Sequence, residues 1–447
     1  MLETIKEQIK STLENFYQLK YEQEIGIVVE EPKNPELGDI SIPIFSVVKA
    51  MRRPLPEVVS EAKEEILKAS SAITSVSNVG GFINVCIDKK LLAKDVLVKA
   101  IELDSNYGAS SIGVGKRVTL DYSSPNIAKS FSIGHLRSTM IGNSLRLILD
   151  KCGFETYSIN YLGDWGTQFG KMIVAYKKWG NYEDICKDPI TQLTNLYVRF
   201  HEEAKEHPQL EDEAREAFRK MELKDAEYLE LWRWIREESL KESAQIYDLL
   251  GIKFDSYNGE AFYNDKMDPV VKELADKNLL KEDQGAQIVD LGETMPPALI
   301  KRKDGGSLYI TRDLAAVFYR KQEYQFDHIL YVVGNEQKLH FTQLKCVLQK
   351  MGYDFADAIE HVNFGLYLTD GKKMSTRKGG VVKLYDVLMK AIQLAYELVA
   401  VKNPELENKE EVAKAVGIAA IVFADLKNHR SLDIEFNLEQ AVKFEGQ

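Results

Sequence analysis

The sequence predicts an α/β protein whose largest part is a doubly wound parallel sheet, preceded by a small α/β domain and followed by helices. Three observations carry this. From Lys116 onward, short apolar runs alternate with longer amphipathic stretches, the pattern of parallel strands joined by helices. The stretch from Ser105 to Gly115, with three glycines and three serines, has linker chemistry. After Lys383 only helical periodicity remains. At 447 residues the chain exceeds one ordinary core, so about two to four domains are expected.

The first domain is expected over residues 1–112. A helix runs from Leu2 to about Tyr21, followed by the Pro/Gly-punctuated segment from Glu31 to Asp39. A second helix begins near Pro56 and ends near Ala69, the stretch from Gly80 to Ile87 reads as a strand, and a helix covers Lys89 to Leu103. The second domain, residues 113–383, opens with a strand at Val118–Tyr122 and a helix starting close to Gly134. Further strands are expected at Phe154–Asn160, Ile329–Gly334 and Val362–Leu368. A helical insertion at about 180–248 includes the charged run from Glu202 to Lys241, with Trp232 and Trp234, and reads as a solvated helical surface. Residues 384–447 give helices at Leu384–Val401 and Lys409–Lys427.

A net charge of −11 argues against a protein that coats nucleic acid through bulk basicity, but leaves room for a local basic grip on RNA. Cys86, Cys152, Cys186 and Cys346 never approach CxxC spacing, which favours buried thiols over zinc ligands or disulfides. The N-terminus opens directly into a helix pattern, and no stretch reaches the length of a membrane span. A cytoplasmic enzyme is the default reading.

Two segments carry chemistry. The first is a strand ending at Tyr122, a Ser-Pro-Asn turn, and a helix opening at Ile133-Gly134-His135. Such a corner points backbone N–H groups and the positive helix end at a site where a triphosphate can lie. Gly134 permits close approach of a nucleotide ring, His135 can donate to a phosphate or ribose oxygen, and Lys129 adds a mobile cation. The second, from Gly371 to Gly380, is a basic loop bounded by glycines, able to close on phosphate and stabilise charge growing on a leaving pyrophosphate. Taken singly, these are also an ordinary β-turn-α corner and a solvated surface loop.

Together, Ser132-Ile133-Gly134-His135 and Lys373-Met374-Ser375-Thr376-Arg377 resemble the two signature sequences of class I aminoacyl-tRNA synthetases, whose catalytic domain is of the Rossmann type. The context from Tyr122 to Lys129, Leu136-Arg137-Ser138-Thr139, and the stretch from Gly163 to Gly170 resembles the arginyl-tRNA synthetase family in particular. The resemblance implies an ATP site formed by Ser132, Gly134, His135, Lys373, Met374, Ser375 and Arg377, with Lys129, His135, Lys373 and Ser375 catalytic. There are two departures. Ser132 stands where the first signature has its first histidine, and Thr376 stands where the second has its second lysine. In this family a lysine upstream of the first signature, here Lys129, takes over the role of that second lysine. Ser132 leaves the site one imidazole short, so weakened ATP use is expected.

A guanidinium ligand needs planar acceptors, best a carboxylate that takes two N–H bonds, and an aromatic or hydroxyl wall. Tyr309-Ile310-Thr311-Arg312-Asp313 offers both at a strand-to-helix corner. Thr311 reads as its N-cap, and Asp313 in the first turn either binds ligand or serves the helix dipole. By resemblance, Tyr309 and Asp313 match side-chain contacts to arginine, Asp121, Asn126 and Gln337 match residues around its amino and carboxylate ends, and Glu260 adds a second carboxylate. His340 either touches nucleotide or caps a helix.

The implied reaction is attack of the arginine carboxylate on the α-phosphorus of ATP, then transfer of the acyl group to the terminal ribose of tRNA-Arg. ATP with Mg2+ is a substrate, and no tightly bound cofactor, metal cage or membrane partner is expected of a monomer. The N-terminal domain resembles a module touching the tRNA elbow. The C-terminal helices resemble the opening part of an anticodon-binding bundle, which in the family continues for about another hundred residues. A C-terminally truncated chain is therefore expected. A second reading stays open on this ground and on Ser132: a synthetase-like protein that binds arginine or RNA without completing aminoacylation.

Overall fold

The computed structural model describes residues 2–127, 131–302, 309–369, 371–373, 382–437 and 440. The chain divides into two compact units, Met1–Ala109 and Ser110–Gln447. In the first, α1 (Leu2–Tyr21) buries Ile5, Ile9, Leu13 and Tyr17, whose spacing of four sets them on one face. After β1 (Ile40–Pro43) and α2 (Phe45–Met51), α3 (Leu55–Ala69) turns Val58, Val59, Ala62 and Ile66 into the same core. β2 (Ile73–Val79) and β3 (Phe82–Ile87) form a hairpin, closing an antiparallel sheet of order β1-β3-β2. Gly80 and Gly81 turn it with φ of 57° and 87°, values that both central residues of a tight hairpin turn require. Only β3 is legible beforehand, because β2 is largely polar and exposed. Asp88 then caps α4 (Lys89–Leu103), accepting from the N–H groups of Lys90 and Leu91.

The second unit begins β4 (Arg117–Asp121), α5 (Leu136–Lys151), β5 (Glu155–Ile159). Five helices follow: α6 (Thr167–Trp179), α7 (Tyr182–Lys187), α8 (Pro189–Glu206), α9 (Gln209–Glu222) and α10 (Ala226–Leu250). Next come α11 (Met267–Asp276), a three-stranded antiparallel sheet of β6 (Leu280–Asp283), β7 (Ala286–Val289) and β8 (Ala298–Lys301), then α12 (Tyr309–Tyr324). The chain continues through β9 (His328–Tyr331), α13 (Lys338–Lys350), β10 (Ile359–His361), β11 (Tyr367–Thr369), β12 (Lys372–Lys373), α14 (Leu384–Lys402), α15 (Lys409–Leu426) and β13 (Ile434–Glu435).

The central sheet has the order β10-β9-β4-β5 and is parallel throughout. From β4 the chain moves outward to β5, and from β9 it moves outward the other way to β10. The order therefore reverses between β4 and β9, whose last residues, Asp121 and Tyr331, are register partners. Open sheets of this kind leave a ligand crevice beyond the carboxyl ends at that point. One expected strand is corrected. The apolar run Val362–Leu368 is not continuous: the sheet strand ends at His361, and Tyr367–Thr369 instead pairs with β12 and β13 in a separate small sheet. Between them Gly365 N–H donates to the Arg430 carbonyl, which draws the chain away from β9.

Within the insertion α9 shows why the charged run folds. Leu210, Ala214, Ala217 and Met221 line one face and are buried, while the acidic and basic residues ride on the other. They join Trp165, Phe169, Phe200 and Ile235 in a core, and Trp232 packs edge-on to Trp165 at 5.5 Å between ring centroids. α14 and α15 give Leu384, Leu388, Ala391 and Ile421 to the core that also holds Leu120 of β4 and Leu136 of α5. Arg137 of α5, 1% exposed, is a cross-tie here. It pairs with Asp425 of α15 at 3.3 Å and donates to the carbonyls of Leu432 at 2.7 Å and of Gly365 and Arg430 at 3.2 Å.

The thiols depart from expectation: Cys86, Cys152 and Cys346 are only partly buried and Cys186 is exposed, all four unbridged. Cys186 lies near the C-terminus of α7, where only Ile185 faces the core. Among the described residues, no helix is long and apolar enough to cross a membrane.

Candidate active site

The crevice is built from two corners. At the first, β4 ends at the buried Asp121, and the chain then places Ser123 and Ser124 at φ of 70° and 44°. Two successive left-handed serines are uncommon, and each costs about 1–3 kcal/mol unless its surroundings over-determine it. Here they do so. Ser123 N–H donates to Ser138 Oγ at 2.9 Å, Ser138 in turn donates to the Val332 carbonyl at 2.7 Å, and Ser124 Oγ donates to the Asp121 carboxylate at 2.8 Å. Asn126 follows and bridges to Gly163, where an added Cβ would come within 3.2 Å of the Asn126 Cα. The backbone approaches there because Gly163 has no side chain.

Ser132 opens a 3-10 turn, Ile133–His135, that leads into α5. Its N–H donates to His135 Nδ1 at 3.1 Å, and its hydroxyl lies 3.2 Å from the same nitrogen. Because a backbone N–H can only donate, Nδ1 is the acceptor and Nε2 carries the proton in neutral His135. Over Gly134, an added Cβ would meet only the Ser132 hydroxyl, at 3.5 Å, among the described residues. The chain on the far side of the second segment returns to this turn. Ile133 N–H donates to the Val382 carbonyl at 3.0 Å and Leu384 N–H to the Phe131 carbonyl at 3.0 Å. On the near side, the Lys373 backbone pairs with Leu368 in the β11–β12 hairpin. Lys129, Met374, Ser375, Thr376 and Arg377 lie outside the described residues.

The second corner is α12. Thr311 is not its N-cap: it lies inside the helix, fully buried, and its hydroxyl donates to the Ile300 carbonyl of β8 at 2.6 Å. Tyr309 is the first helical residue and is 69% exposed. Asp313 has more than the helix dipole to serve. His340 of α13 pairs with it through Nε2 at 2.5 Å. Glu260 opens a 3-10 helix, Glu260–Lys266, and lies 3.4 Å from the Arg312 guanidinium. Asp121 is paired with Arg320 of α12 at 2.8 Å, and the Tyr161 and Tyr331 rings flank that guanidinium at 5.2 and 5.5 Å. Gln337 ends the 3-10 turn after β9 and is exposed.

The structure thus brings Asp121, Glu260 and Asp313 into one electrostatic cluster. Burial raises the Asp121 carboxyl, Arg320 opposes the rise, and the Asp313 charge adds to it. Burial likewise pushes Glu260 up to about 7, against Arg312 and with Asp313 and Asp164. Glu260 is held by a neighbour that sequence reasoning did not single out. Asp164, buried, accepts from the Ala261 N–H at 2.8 Å and from Arg236 Nε of α10 at 2.8 Å. Gly259 is required beside it, since a Cβ there would come within 2.5 Å of the Asp164 carboxylate. Arg312, Arg320 and His340 were also missed as partners. For Arg320 a signal exists: an arginine ending the apolar run from Leu314 to Phe318 of a buried helix face must find a carboxylate.

Comparison with known proteins places the chain. Residues 97–438 match the family of class I (R) tRNA synthetases, catalytic domain, and residues 3–87 match the arginyl tRNA synthetase N terminal domain. The arginine–tRNA ligase of Enterococcus faecalis is 51% identical over 425 residues, covering 95% of this chain and 75% of that protein. Arginine–tRNA ligase 2 of Bacillus anthracis is 49% identical over 444 residues, 99% of this chain and 79% of the relative. In fold, the chain is similar to the Thermus thermophilus arginyl-tRNA synthetase, with a TM-score of 0.79 at 21% identity, covering 100% of this chain and 79% of that one.

Proposed function

The chain belongs to the class I arginyl-tRNA synthetases and its function is that of an arginine–tRNA ligase; from this premise we propose that the crevice between β4 and β9 is where arginine is activated. The observation that carries the assignment is the cluster of Asp121, Glu260 and Asp313, two of which already hold a guanidinium of the chain's own. A site that accommodates Arg312 and Arg320 in this way has the acceptor chemistry for a third guanidinium. Asp313 and Glu260 take the side chain of the substrate, with Tyr309 as a wall, and Asp121, Asn126 and Gln337 orient its amino and carboxylate ends. Lysine is rejected because one ammonium cannot satisfy acceptors set for a flat fork, and each acceptor left unpaired costs about 1–3 kcal/mol.

ATP is the second substrate and Mg2+ accompanies it. Ser132, Gly134 and His135 face it from the first half of the site. By the resemblance, Lys373, Met374, Ser375 and Arg377 are assigned to the second, with Lys129 as the cation that Thr376 cannot be. With Nδ1 engaged by the Ser132 N–H, His135 offers Nε2–H to a phosphate or ribose oxygen. The arginine carboxylate attacks the α-phosphorus, pyrophosphate leaves, and the acyl group passes from the adenylate to a hydroxyl of the terminal ribose of tRNA-Arg, with AMP leaving. No enzyme nucleophile is used; the residues position groups and stabilise charge. The first unit is assigned to the tRNA elbow and the region from α14 onward to the anticodon arm, in a monomer that works in the cytoplasm.

Arginine-dependent exchange of pyrophosphate into ATP, with and without tRNA-Arg, tests this. Exchange with arginine and not with lysine is expected. No exchange under either condition would sink the reading, and exchange without charging would restrict this chain to activation.

A further inference from the structure

Behind the first corner lies a set of hydroxyls that the reaction described above does not use. Ser123, Thr139, Asn160 and Tyr247 are all buried, at no more than 5% exposure. They come from four elements: the end of β4, helix α5, the end of β5 and the insertion helix α10. Asn160 Nδ2 is 2.9 Å from Tyr247 Oη, Tyr247 Oη is 2.8 Å from Ser123 Oγ, Ser123 Oγ is 2.8 Å from Thr139 Oγ1, and Thr139 Oγ1 is 2.7 Å from the His135 carbonyl oxygen.

The Asn160 amide donates to Tyr247 Oη, the Tyr247 and Ser123 hydroxyls share the contact between them, and Thr139 Oγ1 stands within donating distance of two acceptors, Ser123 Oγ and the His135 carbonyl four residues back. Each of the three hydroxyls thus has a hydrogen-bond partner on either side.

We propose that Tyr247, Ser123 and Thr139 are positioning residues of the activation reaction, forming a continuous hydrogen-bond chain that holds the left-handed Ser123–Ser124 corner in register with the His135 turn. The inference rests on the assignment of the crevice to arginine activation. The chain joins the two halves of what the reaction must align. Its Ser123 end fixes the backbone between Asp121 and Asn126, the residues assigned to the amino and carboxylate ends of arginine. Its Thr139 end fixes the main chain of His135, assigned to ATP. Tyr247 reaches this site from α10, so the helical insertion contributes directly to the alignment. Its ring is held independently, edge-on to Phe131 at 5.6 Å and to Phe254 at 5.0 Å, so loss of the hydroxyl leaves the packing in place.

Tyr247→Phe, Thr139→Val and Thr139→Ser are compared with the unaltered chain by arginine-dependent pyrophosphate exchange in the presence of tRNA-Arg, with thermal unfolding measured in parallel. Tyr247→Phe and Thr139→Val are expected to lower kcat about ten- to a hundredfold, with KM for ATP changed less than about threefold, since misplacement of reacting groups by ~1 Å costs about that much. Thr139→Ser keeps the hydroxyl and restores the rate. Unchanged kcat in Tyr247→Phe and Thr139→Val overturns the inference, as does equal loss in Thr139→Ser and Thr139→Val, or a fall in activity no larger than the fall in folded fraction. Absence of exchange in the unaltered chain is a different result: it defeats the assignment of the crevice on which the inference stands.

Discussion

The two corners of the crevice solve opposite problems. The α12 corner concentrates charge: three carboxylates, two arginines and a histidine lie within one partly buried cluster. Beyond Asp121, whose carboxylate belongs to that cluster, the β4 corner is neutral, a strained turn held by hydroxyls and one amide. Charge that is buried and paired gives selectivity but leaves each group dependent on its partner. A neutral network gives geometry without a large desolvation cost. Variants in the first region should therefore disturb stability and substrate choice together, whereas variants in the second should act mainly on rate.

The largest expected effect lies in the charged corner. Asp121→Ala leaves the Arg320 guanidinium buried without its carboxylate and should lower the unfolding free energy by about 3–5 kcal/mol, measured by urea denaturation. A loss under ~1 kcal/mol would show that Arg320 finds another partner. Next, Asp313→Asn should reduce kcat/KM for arginine in the exchange reaction by about ten- to a hundredfold while KM for ATP stays nearly constant. Equal losses for both substrates would remove Asp313 from the guanidinium pocket.

A smaller effect concerns pH. The Glu260 carboxyl stands at about 7 in the folded chain, above its ordinary 4.5. Between those values the folded state binds more protons than the unfolded state, so this group makes stability decline as pH rises through that window. Glu260→Gln should flatten the part of the Tm-against-pH curve between about 4.5 and 7; an unaltered curve would place the Glu260 carboxyl at its ordinary value. The smallest effect is expected of Ser132→His, which restores the missing imidazole and should lower KM for ATP by about two- to tenfold, on the order of one ordinary hydrogen bond. No change in KM or kcat would mean that Ser132 does not limit ATP use.

Which of these features was legible in the sequence follows the same division. The strands and helices carrying both corners show in apolar periodicity, and the signature at Ile133-Gly134-His135 marks the first half of the site. Asp313 and Glu260 stand out as carboxylates in glycine- or aromatic-flanked turns. Their partners do not, because His340 and Arg312 reach them only when α12, α13 and the 3-10 helix at Glu260 are brought together. Ser123, Thr139 and Tyr247 are the extreme case: buried hydroxyls look like any others in a sequence, and they belong together only because separate elements converge on one point. The broken strand at Val362–Leu368 failed for a related reason. A continuous apolar run records burial, and it was silent about the two sheets that divide it.

Arg137 gives the molecule a schedule. The cross-tie joins α5 to a carbonyl 295 residues later in the chain. During synthesis at ~5–20 residues per second, that acceptor emerges about 15–60 s after the arginine does. Until Gly365 is made, a guanidinium destined for the interior has none of its final partners, and the set is complete only with Leu432. The helix that follows the His135 turn is thus among the early parts to be made and among the last to be completed, and the interval is one in which a nascent chain would profit from a chaperone.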